Sequence, residues 1–265
     1  MKTFLMCEPR YFDVSYAINP WMTANIGRVN KQLASIQWQQ LYDTLEQKAI
    51  IKLVEPVKGL PDMVFTANAG LVNSQHEVIV SSFRYAERQD ESQYFRKFFL
   101  DANYQVKQLA SNIIFEGAGD ALFDADGELW FGSGPRSDVA AIAEISSSMD
   151  VQVNALKLVD PRWYHLDTAF CPLSDGYVIV YEKAFSVESV DIIRHKFGNK
   201  AIWISDGDAN NFACNAICMD HEIILYRAST ELKFTLRQFD FDVIEIDVSE
   251  FMKSGGSCKC MTLEI

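Results

Sequence analysis

The sequence predicts an α/β chain in which one β-β-α-β unit is used repeatedly, rather than a doubly wound nucleotide-binding sheet. Three observations carry this expectation. Five amphipathic helical patterns, with apolar positions at threes and fours, alternate with pairs and triplets of short β-rich runs. The units recur at a period of roughly fifty residues, as in repeat architectures. No GxGxxG or GxxxxGK phosphate loop is present. No Pro/Ser/Gly-rich linker divides the chain, so residues 1–265 read as a single domain.

Taken in order, runs of β-branched and aromatic residues place strands at 3–7 and 51–55, separated by a helix over 29–48. The next strands, at 77–83 and 104–109, flank a helix over 93–102. Strands at 128–132 and 151–159 flank a helix over 138–148, and strands at 177–181 and 201–204 flank one over 187–197. The last helix, 230–239, lies between strands at 222–226 and 242–246, and a final apolar strand covers 259–265. An apolar stretch over 61–71 reads as a further strand, with Asp62 and Asn68 towards its two ends.

Hydrophobic residues make up 49% of the 265 and charged residues 23%, with mean hydropathy -0.04, which supplies a core and excludes a disordered chain. Lys plus Arg number 24 against 36 Asp plus Glu, a net charge of -12, which disfavours nucleic-acid and anionic-membrane partners. No segment approaches the ~20 apolar residues of a membrane span. Six cysteines without a secretory leader read as thiols of a reducing compartment, and the expected location is cytoplasmic. The spacings Cys214-x3-Cys218 and Cys258-x-Cys260 do not match zinc knuckles, so no metal is expected. On a strand Cys258 and Cys260 would share a face and could form an occasional disulfide.

Chemistry-bearing residues cluster in a few segments. Cys260 follows the Gly255-Gly256 turn, where backbone can approach a ligand closely. His165 and Asp167 are two apart and on extended backbone would face one site, with Trp163 and Tyr164 drying the surroundings. In Phe115-Glu-Gly-Ala-Gly-Asp120, two acids bracket small residues within an apolar run, and buried acids need partners. Arg88 and Arg136 could each fork onto a substrate carboxylate. His76, His195 and His221 lie in polar contexts and read as surface residues. Together these groups suit a pocket for a small guanidine that also carries a carboxylate.

These residues resemble the guanidine-modifying amidinotransferase superfamily, which includes arginine deiminase and dimethylarginine dimethylaminohydrolase. The carriers are Asn19-Pro-Trp-Met22, the segment Pro61 to Leu71, Phe115 to Asp120, Arg136, His165 to Thr168, Asn211 to Asn215 and Gly255 to Thr262. The likeness is closest to the arginine dihydrolase module of cyanobacterial nitrogen-storage enzymes. It implies a five-bladed α/β propeller, the pentein fold, with the site on its axis and with no metal or organic cofactor. It also implies Cys260 as nucleophile, His165 as acid–base, Glu116 as its partner and Asp167 as a guanidinium ligand. Asn19, Asp62, Asn68, Arg88, Asp120, Arg136 and Asn215 become substrate contacts.

The expected activity is hydrolysis of arginine to ornithine, ammonia and carbon dioxide. The alternatives are a dimethylarginine hydrolase or a deiminase, then an amidinotransferase or a noncatalytic pentein. A small-molecule substrate is expected, and a homo-oligomer is compatible with the resemblance. Where deiminases resemble one another in an aspartate, this chain has Asn68, one negative charge fewer.

Overall fold

Fifteen strands form five separate three-stranded sheets in the computed structural model, which describes residues 1–265. In chain order the strands are β1 (Thr3–Cys7), β2 (Ile50–Val54), β3 (Gly70–Val72), β4 (Glu77–Val80), β5 (Gln105–Lys107), β6 (Ala121–Phe123), β7 (Leu129–Ser133), β8 (Val153–Lys157), β9 (Phe170–Pro172), β10 (Val178–Val180), β11 (Ala201–Trp203), β12 (Ile217–Met219), β13 (Glu222–Leu225), β14 (Asp242–Glu245) and β15 (Leu263–Glu264). Each sheet has one plan. A short inner strand pairs antiparallel with a middle strand, and the middle strand pairs parallel with an outer one, as in β9-β10-β11.

Parallel neighbours need a crossover, and in every sheet an amphipathic helix supplies it. The crossover helices are Lys31–Glu46, Glu91–Asp101, Ala141–Met149, Val187–Phe197 and Thr230–Gln238, matching the five expected. Three start on side-chain caps, where Asn30, Ser186 and Ser229 accept from the backbone N–H of Leu33, Ser189 and Leu232. The first helix buries Ala34, Trp38, Leu41 and Leu45, one stripe at helical spacing. Truncating the fully buried Leu41 to Ala would cost about 2–5 kcal/mol.

The fold is therefore the five-bladed α/β propeller, and its fifth blade is split between the termini. β15 pairs antiparallel with β1, with Leu5 opposite Leu263, so the C-terminal segment closes the ring that the N-terminal strand opens. Thr66 Oγ1 ties the closure by contacting both Leu5 O at 2.8 Å and Met261 O at 2.9 Å. The largest hydrophobic cluster joins neighbouring blades, with Trp130 packed on Phe170 and Phe197. No helix is long and apolar enough to cross a membrane.

Two expectations are corrected. Residues Pro61–Val64 and Thr66–Ala69 are 3₁₀ turns, and only Gly70–Val72 is strand. The strand expected over 259–265 shrinks to Leu263–Glu264, so Cys258 and Cys260 lie on a turn, and all six cysteines are free thiols. The inner strands β6, β9 and β12 had no counterpart in the sequence reading. Each is three residues long, too short to show periodicity.

Candidate active site

All five inner strands border one axial cavity of about 660 Å³. Each inner strand is entered through a tight turn, and these turns carry the residues singled out above. Asp62 and Asn68 precede β3; Glu116 and Asp120 precede β6; His165 and Asp167 precede β9. Asn215 precedes β12 and Cys260 precedes β15. A pseudo-fivefold fold thus collects one polar side chain or more from every blade. A buried turn of small residues is needed for such close approach. At Gly119 an added Cβ would lie 2.2 Å from Asn68 Nδ2 and 3.3 Å from the His165 ring.

His165 is buried, and its Nε2 lies 2.8 Å from Glu116 Oε2. Glu116 also accepts from Arg136 Nη1 at 2.9 Å and, through Oε1, from the Arg84 N–H at 3.1 Å. Burial opposes its ionisation, but the Arg136 charge and the His165 bond hold its carboxyl well below the usual range. Burial pushes the His165 imidazole down to about 4, the Glu116 bond opposing, so the ring is neutral at pH 7.

Cys260 is buried at the far side of this cluster. Its Sγ lies 3.6 and 3.9 Å from the two carboxylate oxygens of Asp167 and 3.1 Å from Asn215 Nδ2. Burial and then Asp167 push the thiol well above its ordinary range, with the Ser257 backbone, Asn215 and Lys259 opposing. Burial likewise raises Asp167 to about 7 against the pull of Lys259.

Ile18, Asn19, Asp62, Phe65, Asn68, Arg88, Arg136, Tyr164 and Ser254 enclose a second, narrow cavity that ends on Cys260. Its water-accessible space is about 10 Å³, room for one water. Ile18 and Asn19 form part of its wall, and the segment 18–22 is tied down by three hydrogen bonds. Asn19 Nδ2 donates to Ser254 O at 3.0 Å, Trp21 Nε1 donates to Arg162 O at 2.7 Å, and Arg136 Nη2 donates to Ile18 O at 3.1 Å.

The two arginines are not free forks, as the sequence suggested. Arg88 is buried and bidentate with Glu91, at 2.9 and 2.7 Å, and its Nη1 donates to Asn68 Oδ1 at 2.9 Å. Arg136 is equally buried against Glu116, between the rings of Tyr85 and Tyr164. Three residues expected to contact substrate lie outside the narrow cavity. Asp120 faces inward, bonded to Ser137 Oγ at 2.6 Å and to the Leu166 N–H at 3.0 Å, so it supports the Glu116 and His165 turns from behind. Asn215 is fully buried against Cys260, and Asp167 borders the larger cavity instead. His76, His195 and His221 are exposed, as expected.

Sequence reasoning missed several neighbours. Tyr16 donates to Asp62 Oδ2 at 2.8 Å and Ser137 Oγ accepts from the Glu116 N–H at 2.9 Å, whereas Tyr164, which the sequence set beside His165, donates to Gly255 O at 2.8 Å. Only Glu91 carried a signal, its i+3 spacing from Arg88.

Comparison with known proteins adds to this geometry. The family model described as N,N dimethylarginine dimethylhydrolase, eukaryotic, matches residues 14–265. A bifunctional arginine dihydrolase/ornithine cyclodeaminase of Nostoc sp. is 45% identical over 264 residues, covering 99% of this chain and 37% of its own length. The N(G),N(G)-dimethylarginine dimethylaminohydrolase of Mycobacterium tuberculosis is 38% identical, covering 100% of this chain and 86% of its own. Among solved structures, the substrate-bound N-terminal domain of ArgZ, an arginine dihydrolase of the cyanobacterial ornithine–ammonia cycle, superposes with a TM-score of 0.98. It is 44% identical, with 100% of this chain and 98% of that chain covered. This chain spans 37% of the length of its dihydrolase relatives from Nostoc and Synechocystis.

A five-bladed propeller that gathers a thiol, an imidazole and a paired carboxylate around one end of its axis is of the guanidine-modifying amidinotransferase class. Within that class, the chain belongs to the dimethylarginine dimethylaminohydrolase-like family, to which the matched model and relatives assign it.

Proposed function

We propose that this chain hydrolyses the guanidinium group of arginine, giving ornithine, two ammonia and carbon dioxide through a covalent intermediate on Cys260. The observation that carries the reading is the composition of the narrow cavity lined by Cys260: a single carboxylate, Asp62, beside two amides, Asn19 and Asn68. A pair of carboxylates would select a cation and release the neutral ureido compound. With an amide, the wall can hydrogen-bond either species, so the ureido group can be retained for a second hydrolysis. The 45% identity to arginine dihydrolases supports the same choice.

The chemistry follows from the charges. The thiol by itself is neutral, because burial and Asp167 oppose its ionisation. A guanidinium seated beside it adds a positive charge and favours the thiolate. The thiol proton passes to His165, and Sγ attacks the guanidinium carbon. The tetrahedral adduct takes the His165 proton on one nitrogen and expels it as ammonia, leaving a thiouronium on Cys260. Neutral His165 then accepts a proton from water, whose oxygen adds to the same carbon. Collapse releases the sulfur and a ureido product.

A second cycle on that product expels the other ammonia and leaves a thiocarbamate. Its hydrolysis gives a carbamate, which loses carbon dioxide to yield ornithine. Glu116 keeps the imidazole oriented and stabilises its charged form. A relative's structure bears on the covalent step: a variant N-terminal domain of ArgZ is covalently bound to a reaction intermediate. Arginine is far larger than the ~10 Å³ space, so entry requires residues 18–22 to lift from Ser254 and Arg162.

The second reading, hydrolysis of dimethylarginine to citrulline and dimethylamine, is favoured by the family model and the 38% identical relative. One assay separates the two. Arginine and dimethylarginine are supplied side by side, and ornithine, citrulline and dimethylamine are measured. Ornithine from arginine, with no dimethylamine, is the expected outcome; dimethylamine with citrulline and no ornithine overturns the proposal.

A further inference from the structure

Asn215 is fully buried, and all four of its side-chain hydrogen bonds surround the Cys260 turn. Its Oδ1 accepts from two backbone N–H groups, Ser257 at 3.1 Å and Cys260 at 3.0 Å. Two N–H donors can face only the oxygen of an amide, so its orientation is determined by its partners. Nδ2 must therefore point the other way, to Asp167 O at 3.1 Å and Cys260 Sγ at 3.1 Å. A sulfur met by an N–H receives it through a lone pair, and such a bond strengthens when the acceptor is ionised.

The backbone around Asn215 is built to hold this placement. Phe212, a buried aromatic residue, has φ 54, a left-handed conformation that costs free energy for a side chain of its size. The Asn215 N–H donates to Phe212 O at 2.8 Å and closes the turn, while Lys259 N–H donates to Asn215 O at 3.2 Å. The strained turn thus inserts one amide between Asp167 and the nucleophile's own loop.

We propose that Asn215 is a catalytic residue: Nδ2 donates to the Cys260 thiolate as it forms, while Oδ1 keeps the 257–260 turn aimed at the substrate. The proposal rests on the reading of Cys260 as nucleophile. It changes the role of Asn215 from substrate contact to nucleophile donor. The other titratable groups around Cys260 are Asp167, which opposes ionisation, Lys259, which favours it, and Asp62, Arg88, Arg136 and Tyr164 across the narrow cavity. The Ser257 backbone also hydrogen-bonds the sulfur, and Asn215 supplies the neutral side-chain donor.

The test uses the full chain and its Asn215→Asp and Asn215→Ser variants, each checked for native circular dichroism. Alkylation of Cys260 by iodoacetamide is followed from pH 6 to 11 by peptide mass spectrometry, which resolves Cys260 from the other thiols. Asn215→Asp replaces the donor with an acceptor, and its alkylation midpoint should rise by about one pH unit or more. Its kcat on arginine should fall about tenfold or more, with KM changed less than about twofold. Asn215→Ser retains a hydroxyl donor, and its midpoint should fall between those of the wild type and Asn215→Asp.

A folded Asn215→Asp with its midpoint within about 0.3 unit of wild type overturns the proposal. If Asn215→Asp does not fold, Asn215→Ser decides alone: an upward midpoint supports the proposal, and an unshifted one overturns it. Wild-type protein alkylated at Cys260 that still turns over arginine would instead overturn the nucleophile reading on which the proposal rests.

Discussion

His165 Nε2 and Arg136 Nη1 share one carboxylate oxygen, Glu116 Oε2, at 2.8 and 2.9 Å. A single acid therefore both orients the imidazole and balances a buried guanidinium. Glu116 is fully buried, so its charge is screened little by water.

Glu116→Gln keeps the shape but removes the charge that both partners use. Arginine turnover should fall about 10²–10⁴-fold, the range for a disabled acid–base group. The variant should also lose about 3–5 kcal/mol of stability, because Arg136 is left as an uncompensated buried charge. Steady-state kinetics and urea denaturation check the two effects separately. Unchanged stability would contradict the reading of Glu116 as the balance for Arg136.

Asn68 Nδ2 donates to Glu116 O at 2.9 Å while Oδ1 accepts from Arg88. Asn68→Asp strengthens the second contact but sets a carboxylate oxygen against a carbonyl oxygen in the first. The restored charge should shift products from ornithine towards a ureido compound released after one ammonia. Quantifying ammonia per arginine consumed tests this, with a ratio near two for wild type and near one for the variant. An unchanged ratio would remove Asn68 from the account of the second hydrolysis.

Gly119 holds Asn68 and His165 at a distance no side chain permits. Gly119→Ala should displace both and lower kcat on arginine about 10²-fold, with a stability loss of about 1–3 kcal/mol from overpacking. Gly127, whose Cβ position is open, is the control, although its φ of 80 adds a modest strain to Gly127→Ala. Equal kinetics for the two variants would argue against the close packing at Gly119.

Stability should fall on the alkaline side of neutrality, whereas on the acid side His165 and the raised carboxyls Asp167 and Glu91 contribute with opposite signs. His165 is depressed to about 4 from 6.5, so the unfolded chain takes up its proton first. The stability this contributes is present above pH 6.5 and is lost as pH falls towards 4. Cys171 and Cys258 are raised from 9 to about 12 by burial, so their contribution is complete below pH 9 and is lost as pH rises towards 12. Asp167 and Glu91, raised to about 7 by burial, gain stability as pH falls from 7, so the His165 contribution is read as a difference. Thermal melts of wild type and His165→Asn across pH 4–11 should diverge between pH 6.5 and 4, the wild type losing more, and curves that stay parallel there would contradict the His165 assignment.

The crossover helices were legible in the sequence because each is long enough to show a period, and the middle and outer strands because they stand as β-branched or apolar runs between helices and turns. Val178-Ile-Val180, for example, is buried throughout and reads as a continuous apolar run. Three of the five inner strands, β6, β9 and β12, were not legible, because each adds only three residues to a turn. The site residues were recognisable as a set, but their geometry was not. His165 and Asp167 were read on extended backbone, whereas Leu166–Thr168 is a 3₁₀ turn that sends one side chain to Glu116 and the other to Cys260. The pairing of Arg136 with Glu116 across 20 residues, and of Tyr16 with Asp62 across 46, depends on blade packing that no local pattern encodes.

The central claim is covalent catalysis by Cys260 on arginine. The full chain is mixed with arginine labelled at the guanidinium carbon, acid-quenched within the first turnover, and its peptides are analysed by mass spectrometry. The account predicts transient label on the peptide at Cys260, its decay as labelled carbon dioxide appears, and neither label nor turnover in Cys260→Ser. Turnover of arginine with no label at Cys260, or by Cys260→Ser at the wild-type rate, would contradict it.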